Sequence, residues 1–531
     1  MRITNKIIRN NSLSNINTNK TYADKLNTQM STQKKIDRPS DDPVVAIRAL
    51  RLRGDVTEVT QYYSKNIPDA ENWLSVTEGA LSNLASVVTD MQAQCTKGSS
   101  GELTVKDRQI ILESLKALRD EVYATGDADY AGRYIFTGYR TDTSLSFGED
   151  TKAKYTITEQ KTAAAIDERV YVKTVDPSLS GNLDLFDVNE TNFSTYKTAS
   201  EEFTEQDISS VTYHRIRLDY KDVDSNRQDV KVEYTGDDGM TGVISTVVAM
   251  NSFELDSNGK SPYELINDYP GGMILVKDTG ELLLGDRAYE ILQGTKDNAS
   301  TATKNEAEIR ITYDKSNWLK SDLRPEHYYA CRKSDPVNGD VYYNQDYLTS
   351  VTGSTQVIEY DVGYNQVIRV NSTADECFNH GIGREVDDLI DALGKTIDME
   401  NQVSKLKSLY EQKKGTTEEE QVKELYDAAQ KAYSLFKDST QKLLERGITR
   451  MQGYLDNTNL AVTNNGTRSK KLALIETRMQ SQKTTFETLK SENEDIDIAA
   501  VTIELASAQT VYEASLMSSA KVMKSTLLDF I

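Results

Sequence analysis

The chain has 531 residues, enough for two to four packed units rather than one small core. Its 62 Lys and Arg against 83 Asp and Glu leave a formal net charge of −21, which argues against a nucleic-acid partner, since that would want a basic face. No apolar run is long enough to cross a bilayer, and near the N-terminus only Ile7-Ile8 form an apolar pair, so neither a membrane anchor nor a cleavable secretory signal is expected.

Residues 1–35 carry Ile3, Ile7, Leu13, Ile16, Leu26 and Met30 among many Asn, Ser, Thr and Lys. Six Asn in the first twenty residues lower helix propensity, so this stretch is expected to become helical only when a neighbour covers it. Arg38-Pro39-Ser40-Asp41-Asp42-Pro43 reads as a turn that ends in an N-cap, Asp42, with Pro43 at the first helical position ahead of Val44, Ile47 and Leu50. Trp73, Val76, Ala80, Leu84, Val87 and Met91 then repeat at three- and four-residue steps, and Ile111, Leu115, Leu118 and Val122 do the same. Between them Lys97-Gly-Ser-Ser-Gly101 predicts a turn. No Pro falls between 69 and 176, which permits long helices there.

From about 141 to 380 the pattern changes. Val211–Tyr220, Asp229–Tyr234 before Gly236-Asp-Asp-Gly239, Glu308–Tyr313, Gln356–Tyr360 and Gln366–Val370 alternate and are rich in β-branched and aromatic residues. They predict strands and hairpins with one wet face. After residue 336 there is no Pro, and helical stepping returns in Val422, Leu425, Ala429, Ala432 and Phe436 behind an expected capping box at Thr417–Glu420. It continues in Leu472, Ile475 and Met479, and ends with Ile498, Val501, Leu505, Ala508 and Tyr512, then Leu516.

The fold expected is therefore α+β and multidomain. Long N- and C-terminal helices pair as a coiled coil and a helical bundle, and a β-rich insert lies between them. The boundaries expected are 1–65 with 490–531 for the terminal coiled coil, 66–140 with 383–489 for the bundle, and 141–382 for the β-rich domain. Charge favours pairing of the ends: residues 1–53 hold 11 basic and four acidic residues, a net of +7, and residues 491–531 hold two and seven, a net of −5.

Four motifs at the two ends resemble the flagellin superfamily. They are Gln29-Met-Ser-Thr-Gln-Lys-Lys-Ile36 with Asp37-Arg-Pro-Ser-Asp-Asp-Pro43, then Gly132-Arg-Tyr-Ile-Phe-Thr-Gly138, Ser491-Glu-Asn-Glu-Asp-Ile-Asp497, and the closing Ala520–Ile531. The Arg-Pro-Ser-Asp-Asp-Pro form is the one usual in the hook-associated junction branch of that superfamily, and Ile496 stands where Ala is usual. The resemblance implies a structural subunit that assembles head to tail at the junction between flagellar hook and filament, with the β-rich domain, 141–382, as its variable outer one. It implies export by the flagellar type III apparatus without a cleaved signal. The partners it implies are the first hook-associated protein, flagellin and copies of the chain itself, with an export chaperone on the C-terminal segment before secretion. It places assembly contacts on Ile3, Ile7, Ile16, Leu26 and Met30 at one end and on Ile498, Val501, Leu505, Tyr512 and Leu516 at the other. The turn at Arg38, Pro39, Ser40, Asp41, Asp42 and Pro43 is expected first to act as a turn and helix cap, and alternatively to set the angle between inner and outer helical layers with Arg38 and Asp41 touching a neighbour. The two other readings of such a chain are a filament flagellin, and a flagellar subunit whose β-rich insert is an adhesive module.

No enzyme, metal site or cofactor is expected. His214, His327 and His380 are isolated, with no His-Glu-x-x-His helix, phosphate loop or Gly-x-Ser-x-Gly elbow. Cys377 and His380 form a single pair without two further ligands nearby. Cys95, Cys331 and Cys377 are too far apart and too few for a disulfide framework and are expected to be buried thiols. For the adhesive reading, Tyr328-Tyr329 and Tyr342-Tyr343 are the candidates to stack on sugars, against a half-buried role in a sheet.

Overall fold

The computed structural model describes residues 5–176, 183–198, 202–224, 230–235, 241–293, 309–335, 339–348 and 356–524. Four helices open the chain: α1 (Asn5–Thr32), α2 (Pro43–Gln61), α3 (Ile67–Gly98) and α4 (Val105–Gly126). A π-helical turn, Tyr62–Asn66, joins α2 to α3. The strands that follow are β1 (Asp129–Tyr130), β2 (Arg133–Tyr134), β3 (Lys154–Lys161), β4 (Ile166–Lys173), β5 (Val175–Asp176), β6 (Leu183–Asp184), β7 (Ser209–Arg217), β8 (Lys231–Thr235) and β9 (Thr241–Met250). After the short helix α5 (Pro262–Leu265) come β10 (Met273–Val276), β11 (Glu281–Leu284), helix α6 (Asp286–Gln293), β12 (Ile309–Lys315), β13 (Ala330–Ser334), β14 (Val341–Tyr343), β15 (Glu359–Gly363) and β16 (Gln366–Arg369). Helices α7 (Ala374–Cys377), α8 (His380–Lys413), α9 (Glu419–Glu494) and α10 (Ile498–Lys524) close it. The α+β layout with helical ends and a β-rich middle is as the sequence predicts.

Local chemistry sets most helix starts. Asp42 accepts hydrogen bonds from the Val44 and Val45 amides, with Pro43 at the first helical position. Thr104 and Asp107 form a reciprocal capping box at α4, Asn379 accepts from Gly381 at α8, and Asp497 accepts from Ala499 and Ala500 at α10. The start of α9 departs from expectation. There Thr416, not Thr417, accepts the Glu418 amide at 3.3 Å, and the Glu419 carboxylate accepts from Gly415 at 2.7 Å. Gly415 takes a φ of 82°, which reverses the chain one residue earlier than a Thr417 box needs.

The predicted hairpin of Gln356–Tyr360 and Gln366–Val370 is the β15–β16 pair, turning through Asn365 at a φ of 52°. Gly236-Asp-Asp-Gly239 and Glu308 lie outside the described residues. The Gly132–Gly138 motif turns at both glycines, with φ of 76° and 63°, and buries Ile135 and Phe136 between them. A Cβ on Gly138 would sit 2.1 Å from the Gln356 side-chain oxygen, so only glycine fits.

The chain divides into two compact units. One comprises residues 1–71, 360–368 and 470–531, and is mainly helical. The other comprises 72–359 and 369–469 and contains a ten-stranded sheet in the order β14-β13-β3-β12-β8-β9-β10-β11-β7-β4. Every neighbour pair is antiparallel except β9–β10. Its main core holds Tyr155, Ile157, Ile309, Ile311, Tyr313 and Trp318, and the Trp318 ring nitrogen donates to the Ala153 carbonyl at 2.7 Å. A second core in the same unit packs Leu185, Phe193, Tyr196 and Phe203 against Met399, Leu406, Leu425 and Ala429 of α8 and α9. The stripes at Trp73, Leu84 and Met91, and at Ile111 and Leu115, are buried as their spacing predicts.

A buried ionic cluster ties the sheet to α8 and α9. Asp388 accepts from Arg169 at 3.1 Å, from Arg217 at 2.6 Å and from Arg215, while Glu385 faces Arg217 at 3.3 Å and Arg450 at 3.1 Å. Although burial alone would raise it, the surrounding guanidinium groups hold the Asp388 carboxyl far below the usual range. Removing one member of such a cluster leaves an uncompensated buried charge, at about 3–5 kcal/mol.

Candidate assembly surface

The helical unit is organised around a clasp between two loops. The Lys35 amide donates to the Glu494 carbonyl at 2.7 Å, the Ile496 amide to the Gln33 carbonyl at 3.2 Å, and Lys34 and Asp495 form an antiparallel bridge. Side chains reinforce it. Arg53 donates Nε to one Glu494 oxygen at 2.6 Å and Nη2 to the other at 2.8 Å, a forked pair on a carboxylate that is 3 % exposed. Lys34 Nζ lies 2.5 Å from Asp495 and 3.5 Å from Glu494. The hydrogen bonds from Arg53 and Lys34 hold the Glu494 and Asp495 carboxyls below their ordinary range, and the Asp495 bond raises Lys34. The opposite net charges of the chain ends are thus joined at this point.

Several residues of the two terminal motifs brace this clasp or the helix starts beside it. Ser491 donates to Asp495 at 2.7 Å, Asn493 donates to the Val45 carbonyl at 3.2 Å, and Asp497 caps α10. In the other motif Asp41 accepts from the Asp37 and Arg38 amides at 3.2 and 3.0 Å, chiefly the Arg38 bond keeping its carboxyl low, and Asp42 caps α2. The Arg38 side chain is 80 % exposed. Pro39 and Ser40 are exposed in the turn.

Beyond the clasp, α1 and α10 run antiparallel. Tyr22 meets Glu504, Met30 meets Thr502, and Lys34 meets Asp495, so numbers rise on one helix as they fall on the other. The seam buries Leu26 and Ala508 and half-buries Ile16, Met30, Val501, Leu505 and Tyr512. Ile7, Ile498 and Leu516 stay exposed at 48, 51 and 42 %, and Ile3 lies outside the described residues. At about 100° per residue, Ile503 and Met517 fall on the side of α10 opposite Val501, and both face solvent. Apolar side chains thus occur on the side of α10 that α1 covers and on the side opposite, where the surface stays open. Helix α2 adds a second open stripe, Val44, Ile47 and Leu50, each about two-thirds exposed and interleaved with exposed Arg48 and Arg51. The periodicity that locates these helices does not separate the covered face from the open one. In α2 the small residues Ala46 and Ala49 mark the covered side, but in α10 Ala499, Ala500, Ala506 and Ala514 are exposed and only Ala508 is buried, so residue size gives no such signal there.

No such surface exists at the histidines and cysteines. His380 is buried among Tyr220, Tyr328 and Tyr329, and all three thiols are buried. Among the described residues no group of three or more His, Cys, Asp or Glu is placed to hold a metal. Tyr328 is core and Tyr329 is largely buried, so this pair does not face a sugar; Tyr342 is 60 % exposed, and Tyr343 lies under the Arg140 guanidinium at 4.1 Å.

Paired terminal helices joined by a clasp thus leave apolar side chains open along their outer faces. Residues 3–141 match the family described as the bacterial flagellin N-terminal helical region. The chain is similar to flagellar hook-associated protein 3 of Salmonella typhimurium, 31 % identical over 143 residues, which is 27 % of this chain and 45 % of that protein. It is also similar to flagellar hook-associated protein 3 of Escherichia coli, 34 % identical over 132 residues, 25 % of this chain and 41 % of that one. The aligned part thus spans less than half the length of these relatives. The crystal structure of FlgL from Xanthomonas campestris aligns over 82 % of this chain and 98 % of its own, with 11 % identity and a TM-score of 0.27.

Proposed function

We propose that this chain is a structural subunit of the bacterial flagellum that forms the junction between hook and filament. The observation that carries the reading is α10, which is covered by α1 on one side and exposes Ile503 and Met517 on the opposite one. Apolar faces at both chain ends suit head-to-tail contacts that build an open helical tube, in which the faces left bare on one subunit are covered by the next. The terminal region 1–65 with 490–531 is the polymerisation region of this reading. Residues 1–35 and 500–531 gain their full protection from exchange only on assembly. Arg38, with its exposed guanidinium, and the turn braced by Asp41 bear on a neighbouring subunit. The match to a flagellin N-terminal region and the two hook-associated relatives support the assignment.

The partners in this reading are the first hook-associated protein on the hook side, flagellin on the filament side and copies of the chain itself. An export chaperone holds the C-terminal helix before type III secretion, and the protein ends outside the cell. The role is architectural, with no reaction of its own. Deleting the gene in its host tests it: hooks without filaments in the electron microscope, with unpolymerised flagellin in the medium, are expected. Persistence of normal filaments would overturn the junction role and favour a minor filament flagellin.

A further inference from the structure

The sheet unit contains a cleft of about 1060 Å3 that assembly does not account for. It lies between β4 and β7 on one side and α8 and α9 on the other, and its volume stands at the upper end of ordinary ligand sites. Three tyrosines cluster in its wall. The Tyr171 and Tyr263 rings stack at 4.7 Å with an interplanar angle of 18°, and Tyr213 adjoins Tyr263 at 4.9 Å. Phe253, also part of the lining, is 77 % exposed and offers a second ring to the cleft.

The remaining lining is charged but balanced, with eight carboxylates against seven cations. Most neutralise one another, as in Lys221 with Asp387 at 2.7 Å and Lys395 with Asp391 at 2.9 Å. A ligand with net charge would meet like charges on one side of such a cleft. Two buried donors are left over. The Nε–H groups of Arg169 and Arg215 have no acceptor among the described residues, and both side chains line the cleft. Arg215 is 4 % exposed, and a donor buried to that degree calls for an acceptor.

We propose that this cleft binds a short neutral oligosaccharide. The apolar face of a sugar ring matches a tyrosine ring, and its hydroxyls, each both donor and acceptor, match a wall of alternating carboxylates and guanidinium groups. The volume accommodates several sugar rings. The aromatic surface is offered by Tyr171 and Tyr213, packed on the buried Tyr263, not by the sequence pairs Tyr328-Tyr329 and Tyr342-Tyr343.

The test is titration of the full chain with maltotriose, cellotriose and chitotriose, read by saturation-transfer NMR and calorimetry. A heparin tetrasaccharide, trilysine and triglutamate serve as charged comparators. Saturable binding of at least one neutral trisaccharide at millimolar concentration or below is expected, weakened roughly 3- to 10-fold by Tyr171→Ala and kept by Tyr171→Phe. Phe253→Ala, at an exposed position that folding does not need, should weaken the same ligand. Three results would overturn the proposal: no neutral trisaccharide binds, a charged comparator binds in preference, or binding is indifferent to both the Tyr171→Ala and Phe253→Ala changes. None of these outcomes bears on the assembly role, which rests on the other unit.

Discussion

Replacing Glu494 by Gln removes the charge at the centre of the clasp while keeping the side chain's size. Two hydrogen bonds from Arg53, at 2.6 and 2.8 Å, and the Lys34 ammonium at 3.5 Å lose their anionic partner. Buried bonds to a charged group contribute about 1.5–3 kcal/mol. Here Arg53 is 54 % and Lys34 38 % exposed, so solvent screens both partners and the forked pair is worth about 1 kcal/mol. The assay is native-state hydrogen exchange on amides 33–35 and 495–501, because a chain of several units need not unfold in one step. Glu494→Gln should speed local opening about fivefold at pH 7, and a double-mutant cycle with Arg53→Gln should return a coupling near 1 kcal/mol. The folded carboxyl titrates below its unfolded value. Its stabilisation is therefore complete above the unfolded pKa, about 4.3, and is lost as pH falls through the folded one. A coupling under about 0.3 kcal/mol at pH 7, or one that persists in strong acid, would refute the reasoning.

Changing Asp42 to Ala should cost about 1 kcal/mol by orphaning the Val44 and Val45 amides, seen as faster exchange confined to the first turn of α2. Ile503→Asp, at a position 71 % exposed, should leave monomer stability within about 0.5 kcal/mol but abolish assembly, checked by sedimentation and by electron microscopy of complemented cells. His327 and His380 are buried, and burial pushes each imidazole down to about 4. The unfolded chain therefore binds more protons, and stability is fully present above about pH 6.5. It should fall by up to about 2.7 kcal/mol per pH unit between there and pH 4. Urea midpoints across that range should show this, with the dependence reduced when both residues are Gln. Burial pushes the thiols of Cys95 and Cys377 up to about 12 and raises Cys331 as well, so an aromatic disulfide reagent at pH 8 should label none of the three until the chain is denatured.

What was legible in the sequence was local. Apolar steps of three and four residues locate α3, α4 and α9 because a helix repeats within a few residues, and Asp42 with Pro43 or Asp497 mark helix starts because a cap bonds only to its own first turn. Alternation located β7, β12 and the β15–β16 hairpin for the same reason. The terminal motifs could be recognised, and their charges pointed to pairing of the ends. That Arg53 rather than Arg48 or Arg51 meets Glu494, 441 positions away, depends on how α2 turns, and one residue of helix rotates a side chain by about 100°.

Tertiary structure alone decided the sheet order and its one parallel pair, since a strand's own residues do not name its neighbours. It decided that Arg384, Glu385 and Asp388, which look like a solvated run, sit in the same buried charge cluster, because the arginines that neutralise the acids come from strands about 170–220 positions earlier. It also decided which apolar faces stay open. Ile503 and Val501 are alike as sequence, and only the docking of α1 leaves Ile503 exposed and half-buries Val501.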